Sequence, residues 1–288
     1  MASLKKFPFR FWIGIVLVGV FWYLNWCLTG VRTNWAFFPL WLGYSLVVDG
    51  IVYVRKGSSL FSRSIELYIL LFVVSAPCWW LFELLNHFTQ NWTYYGSEHF
   101  SALELSLFKT LSFTTVIPSV FGTAELVSTF KWMKKINKGP VVKPTFNVTI
   151  TFFFTGWVML VLLILFPNYF FVFIWLSVFF ITEPVNVWFN NRTLMKSTGK
   201  GDWRLVISLW LGCLICGFFW EMWNYYSYPK WIYSVPFVDF MHIFEMPVLG
   251  YLGYLPFSLE LFALYQLIAG IFQNTRMQNY LSFEFDKI

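Results

Sequence analysis

Phe219-Trp220-Glu221-Met222-Trp223-Asn224 closes one apolar run of this chain, and Leu81-Phe82-Glu83-Leu84-Leu85-Asn86 closes another. Each places an acid three positions before an asparagine. Each leads into an aromatic stretch, Trp231-Ile232-Tyr233 in the first case and Trp92-Thr93-Tyr94-Tyr95 in the second. One constant offset along the chain carries Glu83 onto Glu221, Asn86 onto Asn224 and Pro118 onto Pro256. Polar groups are costly inside lipid-soluble sequence, so a duplicated set of them reads both as an internal repeat and as the place where a site is built.

The duplication extends outward. Trp41 to Asp49 aligns with Trp175 to Glu183 at a slightly shorter offset, so a second helix in each copy ends on an acid. Further along, each copy has an early acid (Glu104, Glu245), then a proline, then a later acid (Glu125, Glu260). The expected halves are 1–140 and 141–288, four helices each. An even helix count gives both the same orientation, with a pseudo-axis along the membrane normal. Asp49 and Glu183, close to Arg55 and Arg192, read as helix-end ion pairs. Glu125 reads as snorkelling toward nearby lysines, and Glu260, deeper in its run, as a site candidate.

Composition sets the class. Hydrophobic residues make up 58% of the 288 and charged ones 12%, with a mean hydropathy of +0.63. A soluble domain carries about 25% charged residues. Lipid admits only helices or closed barrels, and the long apolar runs lack strand alternation. The expected fold is therefore an all-α, polytopic transmembrane bundle of about eight spans. Apolar windows place them near 11–29, 34–54, 64–88, 101–130, 147–166, 169–189, 204–226 and 242–272. With that topology, 17 of the 20 Lys and Arg fall on one side. The positive-inside rule then makes both termini cytoplasmic in a cell inner membrane. The net charge of +6 belongs to topology and anionic lipid, with no nucleic-acid partner. The first apolar run is span-length and lacks a cleavage site, so it reads as an uncleaved helix.

Several motifs carry less. Cys213 and Cys216 form C-x-x-C inside the seventh run, but no second, loop-borne pair exists to relay electrons; they read as small apolar positions. His87, His99 and His242 lack metal-ligand spacing, so no metal is expected. No nucleotide-binding glycine loop or nucleophile elbow is present.

The E-x-x-N unit does suggest chemistry. It puts a carboxyl and an amide on one helix face, one turn apart, so that Asn86 and Asn224 would orient Glu83 and Glu221. Away from water a carboxyl favours its neutral form, which makes both glutamates candidate proton carriers. A proton-bearing acid beside an aromatic cavity suits carbocation chemistry, each well-placed ring stabilising a cation by roughly 0.5–2 kcal/mol. A second carboxylate then removes a proton. Polar residues that only bridge helices would look similar.

The run Trp220-Glu221-Met222-Trp223-Asn224, then Trp231-Ile232-Tyr233, then Leu252-Gly253-Tyr254-Leu255-Pro256-Phe257-Ser258-Leu259-Glu260 resembles the membrane-embedded lycopene cyclase domain family. The likeness spans mainly 219–266, with a fainter echo over 80–126. The family's proline motif usually carries two adjacent acids; here Glu260 stands alone. The family also has about three helices per half rather than four. The resemblance implies redox-neutral, proton-initiated cyclisation of an isoprenoid such as lycopene, with Glu83, Glu221 and Glu260 as catalytic acids. Asn86, Asn224, Trp220, Trp231, Tyr233 and Tyr254 would contact the hydrophobic isoprenoid or lipid substrate. It leaves a reduced flavin open as cofactor. The alternative is a non-enzymatic lipid or solute carrier on the same repeat.

Overall fold

The computed structural model describes residues 6–136, 138–283 and 285. Lys5 and Lys287, counted above among the one-sided cations, lie outside them. The chain is nearly all helix. In order come α1 (Phe9–Cys27), α2 (Thr33–Lys56), a short α3 (Leu60–Arg63), α4 (Ile65–Thr89), α5 (Ala102–Phe113) and α6 (Val116–Ser128). There follow α7 (Phe146–Leu165), α8 (Pro167–Phe170), α9 (Ser177–Trp188), a short α10 (Leu194–Thr198), α11 (Arg204–Tyr225), α12 (Tyr254–Ile271) and α13 (Thr275–Gln278). Two small antiparallel ribbons join them: β1 (Trp92–Tyr95) with β2 (Lys230–Tyr233), and β3 (His242–Ile243) with β4 (Met246–Pro247).

Among the described residues, seven helical segments are long and apolar enough to cross a membrane: α1, α2, α4, α5 with α6, α7, α11, and Val248–Ile271. A further pair, Pro167–Trp175 and Ser177–Trp188, passes only when taken together and is bent by 40°. Three expectations need correction. The window 101–130 divides at Thr114 and Thr115, between α5 and α6. The window 169–189 is broken before Ser177. Residues 242–247, expected as helix, form the β3–β4 hairpin, and the span begins only at Val248. Apolar runs without a polar face carry no periodicity to reveal such breaks.

The helices start and stop on local chemistry. Ser64 caps α4 by accepting from Leu67 N–H. Ser101 and Glu104 form a reciprocal capping box at α5. Gly57 ends α2 in the left-handed region, at φ 80°. Packing then sorts the spans. Only 11% of the α1 span and 17% of the α7 span are enclosed, against 61% for α2. Their exposed faces carry residues such as Val16, Trp157 and Val158, which suit lipid and not water. In the middle, α11 lies directly on α6: a Cβ added at Gly212 would sit 2.6 Å from Ala124 N. Small residues let helix backbones approach this closely in membranes.

At one end of the bundle, acids hold the short helices. Asp49 accepts from Ser59 Oγ at 2.9 Å and from Phe61 N at 2.9 Å, at the start of α3, and pairs with Arg10 Nε at 2.6 Å. Glu183 accepts from Met195 N at 2.7 Å, at the start of α10. Asp49 and Glu183 are as far apart in the chain as Phe61 and Met195, so acid and N–H donor recur at one offset. These acids therefore cap short helices; Arg55 instead bonds Thr129. Glu125 does not snorkel. It is fully buried, pairs with Arg63, lies 3.8 Å from Lys56 Nζ and accepts from Ser282 N at 2.9 Å. The C-terminal residues are drawn in with it, Tyr280 donating to Leu60 O at 2.6 Å and Leu281 O accepting from Arg192 at 2.6 Å.

Candidate functional site

At the other end, β1 and β2 stitch the two parts of the chain together. Trp92 faces Tyr233 and Tyr94 faces Trp231, so the register is its own mirror under exchange of the two strands. Asn91 O extends the ribbon by accepting from Ser234 N at 2.9 Å. Alternate residues of a strand share a face. Two Trp-x-Tyr sequences thus deliver four aromatic side chains to one side.

The asparagines explain why the strands lie there. Asn86 Nδ2 donates to Trp92 O at 2.8 Å, and its Oδ1 accepts from Trp92 N at 3.2 Å. Asn224 Nδ2 donates to Trp231 O at 2.7 Å, and its Oδ1 accepts from Trp231 N at 3.0 Å. Each amide acts as a short piece of β-ladder for the backbone that returns from its helix. The Asn oxygens also accept from Thr89 and Ser227, both at 3.4 Å. The expectation that Asn86 and Asn224 orient the glutamates, or touch substrate, is corrected here. They hold strand backbone, because a returning peptide offers both a donor and an acceptor where a carboxylate offers only acceptors.

The glutamates hold the side chains of the same strands. Glu83 Oε1 accepts from Tyr94 OH at 2.6 Å, from Trp92 Nε1 at 2.9 Å and from Trp79 Nε1 at 3.3 Å; its Oε2 lies 3.6 Å from Lys109 Nζ. Glu221 Oε1 accepts from Tyr254 OH at 2.6 Å and Tyr233 OH at 2.8 Å. Among the described residues its Oε2 is buried with no hydrogen-bond partner. Among the described residues no Lys or Arg pairs with Glu221. Burial, and then the adjacent carboxylate, holds the phenols of Tyr94 and Tyr233 above their ordinary pKa, so both remain O–H donors.

These rings line one cavity of about 470 Å³, a size suited to a small molecule or one end of a long one. Trp220, Trp231, Tyr233 and Tyr254 all border it, as do Trp92 and Tyr94. Glu83 and Glu221 stand behind the tyrosines rather than among the lining residues. Glu260 lies apart from both: its Oε1 accepts from Val178 N at 3.2 Å and Phe179 N at 3.4 Å, at the start of α9, and its Oε2 has no partner. The other walls come from α5 and from the bent segment, through Lys109, Phe113 and Trp175. Lys109 and Asn34 were missed as site residues. A lone lysine within an apolar span was the available signal for the first; Asn34, at a helix start, gave none.

Two lysines border the cavity, and each is paired: Lys109 with Glu83, Lys230 with Glu245. Neither is left over for a phosphate, so this lining does not fit a flavin nucleotide. The chain matches no family model, no curated protein and no solved structure.

Proposed function

We propose that this chain is an eight-span membrane enzyme of two four-helix repeats, 1–140 and 141–288, with both termini cytoplasmic, that cyclises or isomerises an isoprenoid. The repeat reading is supported by matched bonds at matched offsets: Asn86 and Asn224 on their tryptophans, Asp49 and Glu183 on their short helices. Eight spans follow if the bent Pro167–Trp188 pair counts as one. The 17-to-2 distribution of basic residues supports the orientation.

One observation carries the chemistry: two glutamates, each bound to a tyrosine whose ring lines the same aromatic cavity. Their surroundings differ, as acid and base roles require. Glu221 has an oxygen without a partner and no cation beside it, so it is assigned the acid. Glu83 sits beside Lys109 as the anion. In the proposed reaction the Tyr254 hydroxyl turns from Glu221 to an alkene carbon and gives it the O–H proton, and its oxygen takes a replacement from the protonated Glu221, which is recharged from solvent as Glu83 releases its proton. An internal π-bond closes on the resulting carbocation. The new ring then loses a proton toward Glu83 through Tyr94. One proton enters and one leaves, and no electron is exchanged. Trp220 and Trp231 would face the cation, at roughly 0.5–2 kcal/mol per ring.

The test is expression in cells that accumulate lycopene or a shorter acyclic isoprenoid, with extracted products compared between wild type and Glu221→Gln. Cyclic product from wild type alone is expected. No cyclic product from either chain ends this reading. The carrier alternative has an observation of its own: both discontinuous segments, the α5–α6 break and the bent Pro167–Trp188 pair, border the cavity, as broken helices do in transporters. Flux of a labelled lipid into liposomes would favour it.

A further inference from the structure

We propose that residues 235–247 are a lid over the cavity, opening toward lipid and held shut by the ion pair of Lys230 with Glu245. The proposal concerns access to the cavity and holds whether the chain is an enzyme or a carrier. Val235, Val238 and Met246 make this segment part of the cavity wall. It leaves the body after Ser234, whose N–H is fixed to Asn91 O at the end of the ribbon, and rejoins it at Val248, where the last span starts. Its hydrogen bonds stay within the segment or reach only the start of that span: Val248 N donates to Met241 O at 3.0 Å, and Tyr251 OH to Ile243 O at 3.1 Å. Among the described residues, one polar tie goes further. Glu245, at the turn between β3 and β4, pairs with Lys230 on β2. Phe244 adds an apolar seat against Phe218 and Tyr225 of α11. A segment tied this sparsely opens at less cost than the bundle beneath it.

The backbone of the segment is strained. Among the described residues six non-glycine residues have positive φ, and three of them lie here: Phe237 at 63°, Met241 at 51° and Phe244 at 59°. The left-handed region crowds a bulky side chain. Strain of this kind persists only where the surroundings impose it, and it gathers in segments that move. Opening relieves it, so the closed form needs a latch. The outer face tells where the lid opens. Phe237 is 73% and Met241 74% exposed. Phe237 lies 6.1 Å from the ring of Tyr169, at the head of the bent pair. With one span starting at Val248 and the bent pair at Pro167, this face lies at the bilayer surface, where aromatic side chains suit the boundary between headgroups and chains. A gap made there faces lipid, the phase that holds an apolar ligand.

The experiment uses the full chain in phosphatidylcholine nanodiscs and reads how fast a thiol on the cavity wall is modified. Val116→Cys supplies the thiol. Cys27→Ser removes the exposed native cysteine, the other three being buried, and the same chain with Val116 kept is the blank. Glu245→Lys replaces the latch by two like charges and should speed modification by a neutral, membrane-soluble maleimide at least about fivefold. Adding Lys230→Glu re-forms the pair with its charges exchanged and should return the rate to within about twofold of the parent. That rescue separates a latch from a general loss of folding. In every chain the neutral reagent should outrun a sulfonated maleimide of similar size. A rate that Glu245→Lys leaves unchanged, a rise that the exchanged pair does not reverse, a sulfonated reagent that is equal or faster, or no modification in any chain overturns the proposal. No isoprenoid enters this measurement, so a failed cyclisation test leaves the lid standing, and a failed lid leaves the reaction to its own test.

Discussion

An amide that replaces a rung of β-ladder is a compact way to hold a loop in register against a helix. Asn86 and Asn224 each satisfy both backbone groups of one tryptophan. Leucine at either position should leave a buried N–H and C=O unmet, about 2–4 kcal/mol for the pair. Thermal unfolding of Asn224→Leu in detergent should show a markedly lower midpoint than that of an exposed control such as Gln90→Leu. Tyr233 gives a pH test. Its phenol is held above its ordinary value by burial and then by Glu221, so the stabilising effect of its proton is complete below about pH 10 and fades only above that. In an alkaline titration read by phenolate absorbance, Tyr233→Phe should leave the first, exposed-tyrosine phase unchanged and remove amplitude from the late phase alone. The acids and amides were legible in sequence because polar residues stand out against lipid-soluble neighbours. Their partners were not. Which N–H a carboxylate reaches depends on where the chain returns, and the Trp-x-Tyr stretch reads from sequence as interfacial or cavity-lining aromatics rather than as a strand held by the E-x-x-N unit.

At the level of elements, the excess length of the 101–130 and 242–272 windows signalled a tilt or break at their prolines, but the interruptions fall elsewhere, at Thr114-Thr115 and at the 242–247 hairpin. Hydropathy marks an apolar length; it says nothing about a 40° bend before Ser177 or a hairpin at His242–Pro247. Close helix contact is more readable, through glycine. The α6–α11 contact admits no side chain at Gly212, where a Cβ would sit 2.6 Å from Ala124 N. Overpacking of this kind costs about 1–3 kcal/mol or more. Gly212→Leu should therefore yield little monodisperse protein on size exclusion. Gly19→Leu, a position with open space around its Cβ, should behave as wild type.

Across the whole molecule the two parts meet at both ends by different means. One end uses charge and buried tail: Glu125, Arg63 and Tyr280. The other uses the β1–β2 ribbon. Thr93 and Ile232 are direct partners in that ribbon, and Cα atoms of facing strand residues lie about 4.5–5.5 Å apart, within reach of a disulfide. A Thr93→Cys, Ile232→Cys pair should cross-link under mild oxidation, seen as a single band that persists after cleavage of a protease site engineered into the loop before α7. Failure to cross-link would count against the pairing that creates the cavity. The class of chain was legible, because long, nearly uncharged apolar runs mark membrane-length helices. A shared pocket between the paired acids was an expectation of the sequence; that two loops far apart in the chain pair as strands to close it was not.

That ribbon has a consequence for how the protein is made. When a ribosome has delivered only the first half of the chain, Trp92 is already clamped by its own asparagine, yet the strand has a bare edge until Lys230 and its neighbours emerge. An unpaired edge attracts other strands. Synthesis that stalls in between leaves a half-protein with a sticky flank and no chamber, a natural target for membrane quality-control proteases.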